Sequence, residues 1–232
     1  MPAHEDSAAG TGLRGRVAVV TGADRGIGLA IAEALHAQGA LVVALDRDSP
    51  SDPPAQSADA STWQFVQCDV TDERAVDGAF TTVEKSFGSP SVLVNNVGIL
   101  HSLPLSETSV EVWEQTFRVN VVGAFLCARR ALPAMAEGGY GRVLTIGSSA
   151  GKTGGYRHLA AYAASKAAVM SLARSIATEY ASFGITSNAI APAAIDGPLA
   201  RSVITEEKLP QIPVGRLGRP EEVADLALAM LG

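Results

Sequence analysis

Thr21-Gly22-Ala23-Asp24-Arg25-Gly26-Ile27-Gly28 follows the apolar run Val17 to Val20 and leads into Leu29-Ala30-Ile31-Ala32-Glu33-Ala34-Leu35. The run reads as a buried parallel strand and the segment after it has helical spacing, so the order is strand, glycine turn, helix. Glycines let a backbone turn tightly and approach a ligand closely. A helix start offers unpaired N–H groups and a positive dipole end to a diphosphate. The stretch is therefore expected to hold a dinucleotide, with Thr21, Gly22, Asp24, Arg25, Gly26, Ile27 and Gly28 as its cofactor-facing residues. Its spacing is G-x-x-x-G-x-G, so the commoner G-x-G-x-x-G fingerprint does not apply literally. Alone, such a turn is equally well plain punctuation between elements; its weight comes from the rest of the chain.

Outward from the turn, 232 residues with 47% hydrophobic content can bury one large core. One domain is expected over residues 13–232, behind a flexible tail over 1–12. The 18 basic and 24 acidic residues give a net charge of −6 with no block of like charge. That balance disfavours nucleic acid or an anionic membrane as partner. Cys68 and Cys127 lie far apart in apolar patterns and read as buried free thiols rather than a disulfide. No metal site is expected. No uninterrupted apolar stretch reaches membrane-spanning length, and Met1 to Gly12 lacks the basic start and apolar middle of a signal peptide. A cytoplasmic protein is the expectation.

Ala40 to Leu45 reads as a second strand ending at Asp46. In a doubly wound sheet that end lies beside the adenosine ribose, where a carboxylate accepts hydroxyl hydrogen bonds and repels a 2′-phosphate. Asp46 therefore argues for NAD. Arg47 and Arg25 can each meet a phosphate and leave NADP open; the carboxylate weighs more. Asp48 to Thr62, with Pro50, Pro53 and Pro54, reads as a mobile surface loop. Trp63 to Cys68 reads as a third strand, with Asp69 and Val70 at its end in reach of the adenine. Asp69 equally serves as N-cap of an amphipathic helix that opens at Thr71-Asp72-Glu73 and runs to about Phe87.

Ser91 to Val94 is the fourth expected strand, followed by Asn95-Asn96-Val97-Gly98. Paired amides and a glycine suit a turn that supports a neighbouring strand or approaches a ribose, and a plain turn explains them as well. A long helical pattern from about Ser109 to Ala136 carries Trp113, Phe117, Val121 and Phe125 at steps of four, read as one stripe of a packed helix. Asn120, between Val119 and Val121, is either a surface residue or a buried one in need of partners. Arg142 to Ile146 is the fifth strand, Lys152 to Leu159 a loop, and Ala160 to about Phe183 a helix rich in small residues. Small residues allow close helix approach, so the helices at about 109–136 and 160–183 are expected to build a homo-oligomer, a dimer or tetramer. Ile185 to Ile190 is the sixth strand, closed by Ala191-Pro192. The alternation implies an α/β fold with a single doubly wound parallel sheet.

Ligands in such sheets bind at the carboxyl ends of the strands, where Ser148 falls. Tyr162 and Lys166 stand four residues apart on one helix face. A phenol titrates near pH 10, and a neighbouring ammonium stabilises its anion. Tyr162 then becomes a proton acceptor for an alcohol or a donor to a carbonyl, with Ser148 holding the substrate oxygen and Lys166 also gripping a ribose.

These motifs resemble the short-chain dehydrogenase/reductase family, and its 3-oxoacyl-ACP reductase-like members, from Arg16 to Gly232. The family's T-G-x-x-x-G-x-G is Thr21 to Gly28, its N-N-x-G is Asn95 to Gly98, and its Y-x-x-x-K is Tyr162 to Lys166. The resemblance implies a Rossmann-type fold, cofactor contacts at Asn96 and Gly98, and Asn120 as the asparagine that holds a water in a proton relay to the lysine. It puts the active-site serine on Ser148 by the strand-end match and on Ser149 by spacing back from the tyrosine; Ser148 is preferred. Two departures stand out. The family's P-G-x-x-x-T is Pro192-Ala193-Ala194-Ile195-Asp196-Gly197, so Gly197 replaces the threonine that bonds the nicotinamide carboxamide, leaving Pro192 and the backbone of Ile195 as contacts. Relatives continue into one more strand after the helix near Pro220, so the sheet is expected to lack the last edge strand.

The function expected is hydride transfer between NAD(H) and a secondary alcohol or ketone, with Asn120, Ser148, Tyr162 and Lys166 as the catalytic set. The alternatives are an NADPH-dependent 3-oxoacyl reductase and a non-catalytic NAD-binding protein. Leu100 to Leu103, Gly154 to His158 and Pro198 to Ile212 are expected around the substrate, with a lid over about 198–213.

Overall fold

In the computed structural model, which describes residues 12–48 and 61–232, six strands form one parallel sheet. Residues 1–11 and most of the proline-rich 48–62 segment lie outside the described residues. The strands are β1 (Val17–Thr21), β2 (Leu41–Asp46), β3 (Trp63–Gln67), β4 (Val92–Asn95), β5 (Gly141–Ile146) and β6 (Ile185–Ile190), in the order β3-β2-β1-β4-β5-β6. Each lies within a residue or so of its expected place: the inner strands β1, β2 and β4, covered on both faces, are written as apolar runs, whereas the edge strands β3 and β6 mix apolar and polar residues. The order reverses between β1 and β4, and the crevice above that switch is where an open α/β sheet binds its ligand.

Helices α1 (Gly26–Ala37) and α8 (Pro220–Leu231) cover one face. There Ile31 and Leu35 of α1 and Ala227 and Leu231 of α8 pack on Val20, Val94 and Leu144. The other face carries α2 (Glu73–Phe87), α4 (Gly123–Glu137) and α6 (Ala160–Tyr180), with Phe80, Leu132 and Ile176 against Val19, Leu93 and Val143. Full burial of a side chain such as Phe80 or Leu35 stabilises the fold by about 1.5–3 kcal/mol. Cys68 and Cys127 are buried free thiols, and burial pushes Cys127 up to about 12.

Several expectations need correction. Asp69 does not cap α2: its carboxylate accepts from the N–H and hydroxyl of Thr71 at 2.9 and 2.8 Å, and Asp72 is the N-cap, accepting from the N–H of Arg74 at 2.8 Å. The long helix is also interrupted. Helix α3 (Val110–Phe117) passes through a π-helical segment, Arg118–Val122, into α4. The stripe named from four-residue spacing faces outward, with Trp113 and Phe125 36% and 43% exposed, while the buried line runs through Thr116, Asn120, Gly123 and Cys127. A step of four drifts around a 3.6-residue turn, and the π segment resets the phase again. Finally, Val110–Glu137 as a continuous helical run is long and apolar enough by length and composition to cross a membrane. Its inner face is used against the sheet and α6, as in the core helix of a globular fold.

Lys152 to Leu159 is not wholly loop either: α5 (Ala150–Thr153) makes one turn there.

Candidate active site

A cleft of about 740 Å³ runs along the carboxyl ends of the strands. One end is built on the glycine turn. Gly22 adopts φ +65°, and a Cβ at Gly28 would stand 2.0 Å from the Gly22 carbonyl oxygen, so both positions exclude any side chain. Thr21 and Asn96 hold this bend from beneath. The Thr21 hydroxyl donates to the Val94 carbonyl at 3.3 Å and accepts from the Asn96 N–H at 3.0 Å, and the Asn96 amide donates to the carbonyls of Thr21 and Gly22 at 3.0 and 2.9 Å. Of the readings open for Asn96, its side chain takes the one that supports the neighbouring strand.

At the end of β2, the Asp46 carboxylate accepts the N–H of Arg47 at 2.8 Å and that of Asp24 at 3.3 Å, which points it along the cleft wall. The Arg47 guanidinium is occupied: it forks onto Asp48 at 3.0 and 3.4 Å, and the pairing lowers the Asp48 carboxyl below its ordinary value. Arg25 is exposed at the cleft. Asp69, Val70 and Arg118 continue the same wall, with Arg118 donating to the Thr71 carbonyl at 2.8 Å. These residues could cradle a dinucleotide: a closed glycine bend, the open N-terminus of α1 and a positioned carboxylate suit its diphosphate and ribose.

The other end holds the reactive groups. Ser148 follows β5, is 8% exposed, and its hydroxyl accepts the N–H of Ala150 at 3.1 Å. It is the serine whose side chain acts to lower the Tyr162 phenol. Ser149 uses its N–H on the Pro192 carbonyl at 2.8 Å. Lys166, one turn along α6, is 4% exposed, and its ammonium donates to the Ile146 carbonyl at 2.8 Å. Burial lowers it to about 8. Its nitrogen lies 5.9 Å from the centre of the Tyr162 ring. The sequence suggested that the lysine would dominate the phenol; instead burial pushes Tyr162 up, opposed by Ser148. With the ammonium some six ångströms from the ring centre, desolvation is the larger effect among the side chains themselves.

Asn120 is 2% exposed and fully engaged. Its amide donates to the Ile99 carbonyl at 3.0 Å and the Ser165 hydroxyl at 2.9 Å, and its oxygen accepts the Ile99 N–H at 2.8 Å. Both amide hydrogens are thereby committed, and only one lone pair of the side-chain oxygen is left for a further donor. Ser165 was not among the residues singled out from sequence. A serine between a tyrosine and a lysine on a small-residue helix carries no periodic signal, and only its 0% exposure and two hydrogen bonds mark it.

Residues 198–213 form one flank of the cleft. Helix α7 (Pro198–Arg201) and a 3₁₀ turn at Glu206–Gln211 bring Leu199, Val203, Ile204 and Ile212 into its lining. The neck of this excursion is closed by the Asp196 N–H to the Gly218 carbonyl at 2.7 Å and the Gly218 N–H to the Ala194 carbonyl at 2.9 Å. Arg201 forks onto Asp196, and Arg216 onto Glu222, whose carboxyl is held down to about 2. Of the expected contacts, Pro192 and Ile195 line the cleft, as do Leu100, Gly155 and Tyr156; His101 and His158 do not figure in its lining.

A parallel six-stranded sheet with a glycine bend at its switch point and a Ser, Tyr and Lys set beyond it defines a Rossmann-type oxidoreductase. The family model described as enoyl-(acyl carrier protein) reductase matches residues 22–232. The chain is 42% identical over 213 residues to the 3-oxoacyl-[acyl-carrier-protein] reductase MabA of Mycobacterium bovis, covering 90% of this chain and 82% of the relative. It is 39% identical to cis-4-hydroxycyclohexanecarboxylate dehydrogenase of Sinomonas cyclohexanicum, covering 93% and 88%. A crystal structure of 3-ketoacyl-(acyl-carrier-protein) reductase from Brucella melitensis complexed with NADH superposes with a TM-score of 0.89 at 30% identity, covering 95% of this chain and 92% of that one. The chain belongs to the short-chain dehydrogenase/reductase family, as an oxidoreductase of CH–OH groups.

Proposed function

We propose that this chain interconverts a secondary alcohol and a ketone with NAD(H) as its preferred cofactor. The observation that carries the reading is that Ser148, Tyr162 and Lys166, one turn beyond the phenol, line the same cleft as Gly22, Gly26, Ile27 and Asp46. The residues that would hold the dinucleotide are Thr21, Gly22, Asp24, Arg25, Gly26, Ile27 and Gly28 at the diphosphate, Asp46 and Arg47 at the ribose, and Asp69 and Val70 at the adenine. Asn96, Gly98, Tyr162, Lys166, Pro192 and Ile195 would hold the nicotinamide end. When bound, the nicotinamide supplies or takes up the hydride. Tyr162 gives its proton to the carbonyl oxygen in reduction and takes it back in oxidation. Ser148 donates a hydrogen bond to that oxygen, which fixes the carbonyl and stabilises the charge that develops there. Lys166 keeps a cation beside the phenol and so opposes the burial that raises it. Asn120 sets the frame around them.

NAD preference rests on charge. Asp46 is aimed at the cleft, and its neighbour Arg47 is engaged with Asp48 in a surface ion pair. A 2′-phosphate would meet a carboxylate there. The second reading, an NADPH-dependent 3-oxoacyl reductase, is favoured by the exposed Arg25 and by the names of the relatives. The substrate flank is apolar, and the cleft's arginines Arg25, Arg47 and Arg118 all lie along the opposite, β1–β3 side. A neutral ketone with apolar substituents suits it, since the described lining residues within 198–213 offer a carboxylate no cation. We further place the protein in the cytoplasm as a homo-oligomer, with Trp113 and Phe125 on α3–α4 covered by a second copy together with α6, and residues 198–213 as a lid.

The test is a turnover assay of neutral and carboxylated ketones with NADH and NADPH. Reduction of neutral ketones at a higher kcat/KM with NADH is expected. Cofactor binding without reduction of any ketone would overturn the enzyme reading in favour of a binding role, and a preference for NADPH with 3-oxoacyl thioesters would favour the second.

A further inference from the structure

The hydroxyl of Ser165 makes two hydrogen bonds that close a ring of contacts around the site. It donates to the Tyr162 carbonyl at 2.7 Å and accepts from the Asn120 amide at 2.9 Å. Asn120 in turn grips Ile99 by both its N–H and its carbonyl, as a strand neighbour would. Ile99 follows Gly98, and Gly98 stands against the lysine: a Cβ there would lie 3.2 Å from the Lys166 nitrogen and 3.5 Å from the Asn120 oxygen. Lys166 closes the circuit onto the Ile146 carbonyl at the end of β5, two residues before Ser148. Three elements meet here: the loop after β4, the π segment and the first turns of α6.

We propose that Ser165 is a positioning residue, which locks the Tyr162 turn of α6 to the π segment through Asn120 and so sets the phenol and the lysine against Ser148. Other groups in this ring are backbone or belong to the expected tetrad, so Ser165 is the added side chain that joins α6 to Asn120. The residue before α6, Leu159, makes no side-chain cap bond, so the cap itself does not tie the helix start to the π segment. Hydroxyl loss frees one Asn120 N–H in a buried place and removes the tie on the Tyr162 carbonyl, and the amide is then free to turn away from Ile99. Misplacement of an acid/base group by a fraction of an ångström is felt in the chemical step, not in ground-state binding of the ketone.

This inference rests on the alcohol/ketone reading above. Six proteins test it: wild type, Ser165→Ala, Ser165→Cys, which keeps a weak donor in nearly the same volume, Asn120→Ala alone and combined with Ser165→Ala, and Ser175→Ala as a control. Ser175 is an exposed serine of the same helix, whose hydroxyl reaches only the Ser171 carbonyl at 3.4 Å. Ser165→Ala is expected to lower kcat by about tenfold or more per folded site with KM for the ketone changed less than about twofold, Ser165→Cys to fall between, and Ser175→Ala to match wild type. Adding Ser165→Ala to Asn120→Ala is expected to cost little beyond Asn120→Ala alone, since one acts through the other. Amide exchange at Ile99 is expected to quicken in Ser165→Ala. If Ser165→Ala does not fold, Ser165→Cys carries the test, and a wild-type kcat in it overturns the proposal. Equal kcat in wild type and Ser165→Ala, or full additivity with Asn120→Ala, also overturns it. A wild type that reduces no ketone sinks the function reading instead, while Ile99 exchange still reports on the clasp.

Discussion

At the scale of single residues, two buried groups set what can be measured. Lys166 is fully enclosed and titrates near 8 rather than at 10.5, so its charge is disfavoured in the fold. Between about pH 8 and 10.5 the unfolded chain holds more of this proton than the folded one, so the lysine's contribution to stability rises with pH across that window and is at its worst below it. Lys166→Met should therefore be more stable than wild type at pH 7, by up to about 3 kcal/mol less whatever the Ile146 hydrogen bond contributes, with the gap closing by pH 10.5. Urea unfolding at the two pH values measures it. Tyr162→Phe keeps the ring and loses the proton, and turnover should fall by about a hundredfold or more while cofactor titration is unchanged. Asp46→Ser removes the anion at the end of β2 and should raise kcat/KM for NADPH relative to NADH; no change in that ratio would remove Asp46 from the specificity assignment.

At the scale of elements, the turn between β1 and α1 is the least forgiving. In Gly28→Ala the new methyl would meet the Gly22 carbonyl oxygen and the Asn96 amide, both fixed, so relief requires the whole bend to open. A loss of about 3 kcal/mol or more in stability is expected by thermal or chemical melting, together with loss of dinucleotide binding. Asp72→Ala, by contrast, removes an exposed N-cap from α2 and should cost about 1 kcal/mol with kinetics unaltered. The inner strands β1, β2 and β4 were legible as apolar runs ended by turn residues, and the edge strands β3 and β6 as shorter mixed segments between turns. The inward face of the α3–α4 run was not: four-residue spacing identified a stripe, but a π segment moves the phase, and both faces of this helix carry apolar residues.

At the scale of the whole molecule, Val110, Trp113 and Phe125 leave apolar surface on α3–α4 of a single chain, with 66%, 36% and 43% of each exposed. Trp113 stacks on Phe117 with ring centres 5.4 Å apart, extending the apolar surface. If a second copy covers it, Trp113→Asp with Phe125→Asp should lower the mass measured by sedimentation equilibrium while the far-ultraviolet dichroism is kept; an unchanged mass would put the interface elsewhere.

By itself the sequence determined the order of strand and helix, the glycine bend, the carboxylate at the end of the second strand, and the pairing of Tyr162 with Lys166, because these depend on neighbours a few residues apart. Only the tertiary structure decided that Ser148 rather than Ser149 meets Tyr162, that Asn120 spends its amide on Ile99 and Ser165, that Arg47 is tied to Asp48, and that burial outweighs the lysine at the phenol. Those outcomes turn on which groups face each other across strands and helices and how much water is left between them. Spacing along the chain does not encode that.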